Sequence, residues 1–301
     1  MSVTPEIKKK PVSWENIAIG AFIQTFEVST LGQPFEVVKT HMAAHRGDSL
    51  WESIRKTHAR GGFPGFWQGL IPWAWIEAST KGGVLLFASS EIDYHTRRMG
   101  CSHATAGLLG GMGGGIAQAY TTMGFCTFMK TVEVTRHKQA GDIPQSTWKV
   151  AYDVFQKEGI RGLNKGVSAV AIRQMTNWGS RFGISRLVEK LFKGDTDRKL
   201  TTNERILSSV IGGALACWNQ PIEVIRVEMQ SQAKQAGRPE NLSIFTAGKY
   251  IYQQNGFLGF YRGVTPRICL GVYLTVCMVF GGDQFKEYIA EQRRLKKEVK
   301  I

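Results

Sequence analysis

Five charged side chains stand where the chain is otherwise apolar: Glu77, Lys81, Arg173, Arg181 and Arg267. Glu77, Lys81 and Leu85 follow one another at i, i+4 intervals and so share a helix face. Arg173, Asn177 and Arg181 repeat that interval, with Gln174 beside the first of them. A cation inside an apolar segment is costly unless it is paired or hydrated, and it marks a site by default. Arginine's planar fork meets a carboxylate through two parallel hydrogen bonds, a geometry lysine lacks. The four cations in this set suit a di- or tricarboxylate better than an amino acid or a neutral solute. Glu77 is the exception, because its ionised form repels such a ligand. It can anchor Lys81, accept a hydrogen bond from a ligand hydroxyl, or take up a proton. If Glu77 and Lys81 form only a private pair along their helix, the arginines alone are left to bind. Glu27, seven residues before Pro34, is a second acid in apolar surroundings with no obvious local partner.

Catalysis finds little footing. There is no G-x-G-x-x-G, no Walker loop, no H-E-x-x-H and no G-x-S-x-G, and the glycines around 110–115 lack phosphate-loop spacing. Neither an enzyme nor a bound cofactor is expected. Five cysteines, odd in number and without a C-x-x-C pair, argue against a disulfide scaffold and a structural zinc site. His41 and His45 are spaced as helical metal ligands, but no Cys, Asp or Glu completes a local set, so no metal is expected. They read as two polar residues near a helix end.

The whole chain of 301 residues carries 38 Lys and Arg against 24 Asp and Glu, a formal charge of +14. That balance suits anionic partners, whether nucleic acid, anionic lipid or small acids, and does not bear on the fold. The first eleven residues have no apolar core and are not Arg-rich, so any organelle address is expected inside the mature chain.

The elements that must position these side chains come in threes. The strings Gly62-FPGF-Trp67-Gln68-Gly69, Gly159-IRGL-Asn164-Lys165-Gly166 and Gly256-FLGF-Tyr261-Arg262-Gly263 recur at an interval of 97 residues both times. Upstream lie Pro34-F-Glu36-VV-Lys39, Thr131-V-Glu133-VT-Arg136 and Pro221-I-Glu223-VI-Arg226. A unit of about a hundred residues thus fills the chain, divided here as 12–100, 101–198 and 199–291, far longer than solenoid repeats. Each unit reads as a long helix, a connector with a short amphipathic helix, and a second long helix. The longest uncharged stretch, 101–129, has 29 residues, and 206–222 and 268–282 add 17 and 15. Isolated charges recurring at helical spacing describe helices that line a wet cavity and carry lipid on the other side. Lys and Arg do not orient the spans. The three connectors (39–68, 130–165, 226–262) hold 17, the termini and links 17, and Lys81, Arg173, Arg181 and Arg267 remain inside.

The upstream strings carry a mechanism of their own. Proline inside a helix removes a hydrogen bond and kinks it, here at Pro34 and Pro221. The Glu and the base three residues later lie on one face, and three repeats set about a common axis would bring three such pairs into a ring. A ring of ion pairs can close one end of a cavity and still open, since attraction and desolvation nearly balance. Counted from each closing glycine, Glu77, Lys81, Arg173, Gln174, Arg181 and Arg267 fall at comparable depth on the even-numbered helices.

Three Pro-x-Glu-x-x-Lys/Arg strings in register, the triplication and the aromatic-basic-glycine strings together resemble the mitochondrial carrier family, over residues 12 to 291. Thr131 in place of the second proline, Gln68 in place of a base and Asn164 in place of an aromatic residue are departures; they weaken one kink and local caps. The resemblance implies an all-α membrane protein of six transmembrane helices with threefold pseudosymmetry. It implies a multi-pass protein of the mitochondrial inner membrane, both termini in the intermembrane space, functional as a monomer. It pairs Glu36 with Arg136, Glu133 with Arg226 and Glu223 with Lys39 in a matrix-side gate. It places substrate contacts at Glu77, at Arg173 with Gln174, and around Arg267 to Leu270, with Arg-Gln as a carboxylate-carrier signature. On the opposite side it expects an acid and a base twenty residues after each closing glycine. Asp283 and Lys286 fit, Arg186 and Glu189 reverse the signs, and Ser89 and Ile92 are uncharged, so a weak gate is expected there.

Within the family the likeness is narrowest in GQPFEVVKT, GLIPWAWIEASTKG, TMGFCTFMKTVEVTRHK, GVSAVAIRQMTNWGSRFG and WNQPIEVIRVEMQ. That likeness implies exchange of citrate for 2-oxoglutarate by alternating access, with malate, oxaloacetate or oxoadipate as the alternative substrates. Membrane lipid, cardiolipin included, and mitochondrial DNA are the further partners it brings. A basic nucleic-acid-binding protein is the competing class. It needs a basic stripe with interleaved aromatics, whereas the basic residues here are spread evenly.

Overall fold

The three strings that recur at 97 residues answer a backbone requirement. In the computed structural model, Gly62, Gly159 and Gly256 adopt φ of +61°, +63° and +61° with ψ of −154°, −157° and −162°, a region open in practice only to glycine. Gly69, Gly166 and Gly263 close the strings at φ of +72°, +75° and +79°. Each string is therefore a sharp re-entry between a short helix and a long one, and glycine is needed at both ends.

The structure describes residues 14–101, 103–135, 147–193, 201–231, 239, 242–277 and 291, and among these all regular structure is helical. The first repeat comprises α1 (Trp14–Glu27), a π turn (Val28–Gly32), α2 (Gln33–Ala44), α3 (Leu50–Gly61) and α4 (Trp75–Arg98). The second comprises α5 (His103–Gln118), a π turn (Ala119–Met123), α6 (Gly124–Thr135), α7 (Thr147–Leu163, broken at Gly159) and α8 (Val167–Lys193). The third comprises α9 (Thr202–Leu215), a 3-10 turn (Ala216–Asn219), α10 (Gln220–Gln230), α11 (Ile244–Asn255) and α12 (Val264–Val276). The short helices α3 and α11 begin with capping boxes, Ser49 with Glu52 and Ser243 with Thr246. Hydrogen bonds from the Ser49 backbone and hydroxyl hold the exposed Glu52 carboxyl below its ordinary value.

The long helices close a ring in chain order. α1 packs on α4, α4 on α5, α5 on α8, α8 on α9, α9 on α12, and α12 returns to α1 and α2. Buried apolar clusters sit at each junction between repeats. Ala43 and Ala44 meet Val224, Val227 and Ile251; Trp73 meets Phe128, Met129 and Val132; Ala169 meets Met229 and Ala247. Glycines of α5 allow close approach of α4 and α8. A Cβ on Gly110 would stand 2.7 Å from the Ser89 carbonyl, and one on Gly115 would stand 2.9 Å from that of Gln174.

The kinks differ between repeats for a physical reason. Pro34 and Pro221 both lie in the first turn of a new helix, where the missing N–H has no intrahelical partner to lose. Before Pro34 the chain breaks at Thr30 (φ −98°, ψ −113°). Thr131, which keeps its N–H, lies inside an unbroken α6, and the irregularity moves upstream to the π turn before Gly124.

Polar side chains occupy the centre and large apolar ones the outside. Glu27, Gln33, Lys39, Glu77, Gln118, Glu223, Arg226 and Arg267 are buried, whereas Phe22, Phe26, Leu86, Phe87, Leu108, Leu207 and Leu215 are exposed. Among the described residues, no helix is long and apolar enough to cross a membrane.

Two glycine substitutions separate packing from propensity. Gly115→Ala pushes a methyl against the Gln174 backbone and is expected to destabilise by about 1–3 kcal/mol. Gly20→Ala on α1 meets nothing within 4 Å and is expected to stabilise by about 0.5–1 kcal/mol through helix propensity. Thermal unfolding of the purified variants should move in opposite directions; equal shifts would remove close packing as the reason for the glycines.

Candidate functional site

A π turn precedes Pro34 and a 3-10 turn precedes Pro221, so α2 and α10 each restart just ahead of the motif glutamate. The base three residues after each glutamate then reaches inward. Glu223, fully buried, is the point of convergence. Arg226 meets it through two parallel bonds, Nε at 2.9 Å and Nη2 at 2.8 Å. Lys39 Nζ lies 2.8 Å from its other side and 2.6 Å from Glu36, and Arg173 Nε approaches to 3.1 Å. Lys39 and Glu223 thus stand together, as the family resemblance implies.

The expected pair of Glu133 with Arg226 does not form. Arg226 spends its remaining nitrogen on Thr131 Oγ1 at 2.9 Å and Gln230 Oε1 at 2.6 Å. Because Thr131 faces Arg226, Glu133 is turned about 200° around α6 from it. A helix kinked at residue 131 would present a different face; this one runs straight. Arg136 lies outside the described residues, and Glu36 turns to Lys39 in its own helix.

Above this cluster lies a cavity of about 370 Å³. Glu77, Lys81, Leu85, Arg173, Gln174 and Arg267 all line it, with Asn177. Side chains hold them in place. Arg267 donates to Gln220 Oε1 at 2.9 Å and to Asn219 Oδ1, and Asn219 donates to Thr176 Oγ1 at 2.8 Å. Gln174 donates to Gln118 Oε1 at 3.2 Å, which also accepts from Trp178 Nε1 at 3.0 Å. The side chain of Arg181 lies outside the described residues. So do Asp283 and Lys286 and the side chains of Arg186 and Glu189, which leaves the opposite gate undescribed except at Ser89 and Ile92, packed against α5. His41 and His45 stack with ring centroids 4.4 Å apart, and no third ligating side chain joins them among the described residues.

Glu77 does not keep a private partner. Its Oε1 is 4.0 Å from Lys81, whereas Oε2 is 2.8 Å from Lys130 on α6. Lys130 lines the cavity and was missed by sequence reading, which counted it with the connector cations because it directly follows the uncharged stretch. Register carries the signal that could have found it. Lys130 occupies the place of Gln33 and Gln220, the residues before the two motif prolines. Those glutamines donate to the carbonyls of Gln68 and Arg262, each just before a closing glycine. In the second repeat the equivalent carbonyl, Lys165, accepts from Gln230 at 3.0 Å, so residue 130 is released to serve Glu77. A further buried link, with no signal in the repeat strings, joins Arg46 to Glu228 at 2.6 Å and to Asn255 at 2.7 Å, tying the chain just beyond α2 to the third repeat.

The formal charges on the cavity wall are six cations, Lys39, Lys81, Lys130, Arg173, Arg226 and Arg267, against Glu27, Glu36 and Glu77. An excess of that size inside a shielded space favours a small polyanion, and the guanidinium groups at 173 and 267 supply fork geometry for carboxylates.

Comparison with known proteins bears on the family of the chain. The chain matches the family model of the mitochondrial carrier protein in three successive segments, residues 9–92, 101–196 and 198–293. It is 59% identical to the citrate/oxoglutarate carrier protein of Saccharomyces cerevisiae over 94% of this chain and 93% of that protein. It is 27% identical to the human mitochondrial tricarboxylate transport protein, over 79% of each chain. It is 25% identical to the human mitochondrial 2-oxodicarboxylate carrier, over 89% of this chain and 92% of that one. With three repeats matched in order and a ring closed by helices from each of them, the chain belongs to the mitochondrial carrier family.

Proposed function

We propose that this protein is a six-helix antiporter of the mitochondrial inner membrane that exchanges citrate for 2-oxoglutarate by alternating access. The observation that carries the reading is the cationic cavity whose floor is a single buried ion-pair cluster. The 59% identity to the yeast citrate/oxoglutarate carrier supports the choice of substrates. The exposed apolar and buried polar residues support a lipid environment: a ring of long helices that keeps its charges on the inner wall spans a bilayer without any one helix being apolar throughout.

In this reading Lys81, Arg173 and Arg267 take the carboxylates, Gln174 and Asn177 orient them, and Leu85 fills the apolar gap. Arg181 is placed on the same helix face by spacing alone. Arg173 has a double role, because a substrate carboxylate competes with Glu223 for its guanidinium. Removing one partner from a buried ion pair costs about 3–5 kcal/mol, and each charge-assisted hydrogen bond to substrate returns about 1.5–3 kcal/mol. Two or three new bonds therefore offset the opening of the cluster, and an empty cavity offers none. The Lys39, Glu36, Glu223 and Arg226 cluster, with Glu133 and Arg136 at the equivalent positions of the second repeat, acts as the matrix-side gate.

Three measurements test this. Labelled citrate should enter liposomes holding 2-oxoglutarate and not empty ones; similar net uptake into empty vesicles would contradict obligatory exchange. Arg173→Lys keeps charge and loses the fork, so it should lose about ten- to a hundredfold in citrate kcat/KM, nearly as much as Arg173→Ala. A wild-type rate in Arg173→Lys would shift the clamp to Arg267 or Arg181. Lys130→Gln leaves Glu77 facing the substrate and should lower citrate kcat/KM by at least about tenfold, the effect of one charge-assisted contact. Lys130→Gln with Glu77→Gln should recover most of it; a double variant as poor as the single would show that Lys130 does not act through Glu77.

A further inference from the structure

Citrate carries three carboxylates and 2-oxoglutarate two, so exchange of the full anions moves a net charge unless a proton accompanies citrate. We propose, resting on the carrier reading above, that Glu27 is the proton-binding site of this protein and that one proton travels with each citrate.

Glu27 ends α1 immediately before the π turn and lines the cavity while only 2% exposed. Its Oε1 is buried without a hydrogen-bond partner, and among the described residues no cation comes within 4.0 Å of the carboxyl. Every other carboxylate on the cavity wall has a close cation: Glu36 has Lys39 and Glu77 has Lys130. The space it fills exists because residue 32 is glycine, since a Cβ there would stand 2.3 Å from Oε1. A carboxylate held without a partner in such a place is costly as an anion and stable as an acid.

The titratable and charged groups around it come from four directions. Lys81 and Glu77 on α4, Lys130 on α6 and Glu36 on α2 line the same cavity as Glu27, and Cys277 lies just beyond α12. Tyr273 on α12 is hydrogen-bonded to Thr30 at 2.6 Å, one turn from Glu27. Lys130 and the two carboxylates are committed to partners at 2.8 Å or less. Lys81 is the only one of these cations held loosely, at 4.0 Å from Glu77. The third carboxylate of citrate draws Lys81, and Glu27 then binds a proton from water at Oε1. When 2-oxoglutarate occupies the cavity, Lys81 remains to balance Glu27 as an anion. Citrate with three negative charges and one proton moves one way and 2-oxoglutarate with two moves the other, so each direction carries the same charge and nothing is oxidised or reduced.

The test uses the full-length protein in liposomes that contain 2-oxoglutarate and a trapped pH dye, with labelled citrate outside. The wild type should acidify the lumen by about one proton per citrate, at a rate insensitive to an imposed membrane potential. Glu27→Gln should drop the ratio at least about tenfold and make any remaining citrate entry potential-dependent. Labelled exchange in the wild type without acidification overturns the proposal. So does a Glu27→Gln variant that keeps one proton per citrate, which would place the proton on the substrate. If Glu27→Gln is not recovered in the membrane, Glu27→Asp decides: it should keep the ratio and shift the pH midpoint of citrate exchange, and an unshifted midpoint overturns the proposal. Absence of citrate exchange by the wild type would instead sink the carrier reading, and this inference with it.

Discussion

A carboxylate with no exposure to solvent cannot remain charged alone, and Glu223 is surrounded accordingly. Lys39 from the first repeat, Arg173 from the second and Arg226 from the third all reach it within 3.1 Å. Three cations on one acid leave positive charge to spare, and Glu36 offsets part of it. The remainder faces the cavity. The cluster therefore ties the three repeats together and also sets the sign of the ligand, because the lowest-energy complement to an over-compensated acid is another acid brought in from outside. Buried ion pairs close to energetic balance are poor girders and serviceable gates.

Symmetry builds the frame and its violations build the site. The two glycines of each closing string repeat their left-handed φ from one repeat to the next, and an apolar cluster marks each junction between repeats. An asymmetric polyanion, however, needs an asymmetric wall. Lysine at 130 where the other repeats have glutamine converts a carbonyl brace into the counter-ion of Glu77. Threonine at 131 where the others have proline straightens α6 and hands Arg226 a hydroxyl. Both departures lie side by side at the level where the cavity meets its floor.

The same economy explains the hydropathy. The first long helix of each repeat is interrupted by a π or 3-10 turn, and the charges gather on the inner wall. Interruption of this kind is tolerated where irregular backbone lines a polar space, and it supplies places at which long helices can bend.

What the sequence determined by itself is what depends on spacing along one chain. The 97-residue interval, the recurring glycines, the interruption of helices at Pro34 and Pro221 and the shared faces of Glu77 with Lys81 and of Arg173 with Asn177 are all local. The nearness of Lys39 to Glu223 was legible too, because resemblance to a threefold family supplies which repeat follows which around the ring. The tertiary structure alone decided which of several available partners each charge takes. Glu77 chose Lys130 over Lys81, and Arg226 chose Glu223, Thr131 and Gln230 over Glu133. Each helical residue turns its side chain about 100° from the last. A single missing proline therefore re-aims a whole face, and an ion pair falls off over a few ångströms that no pattern of letters records.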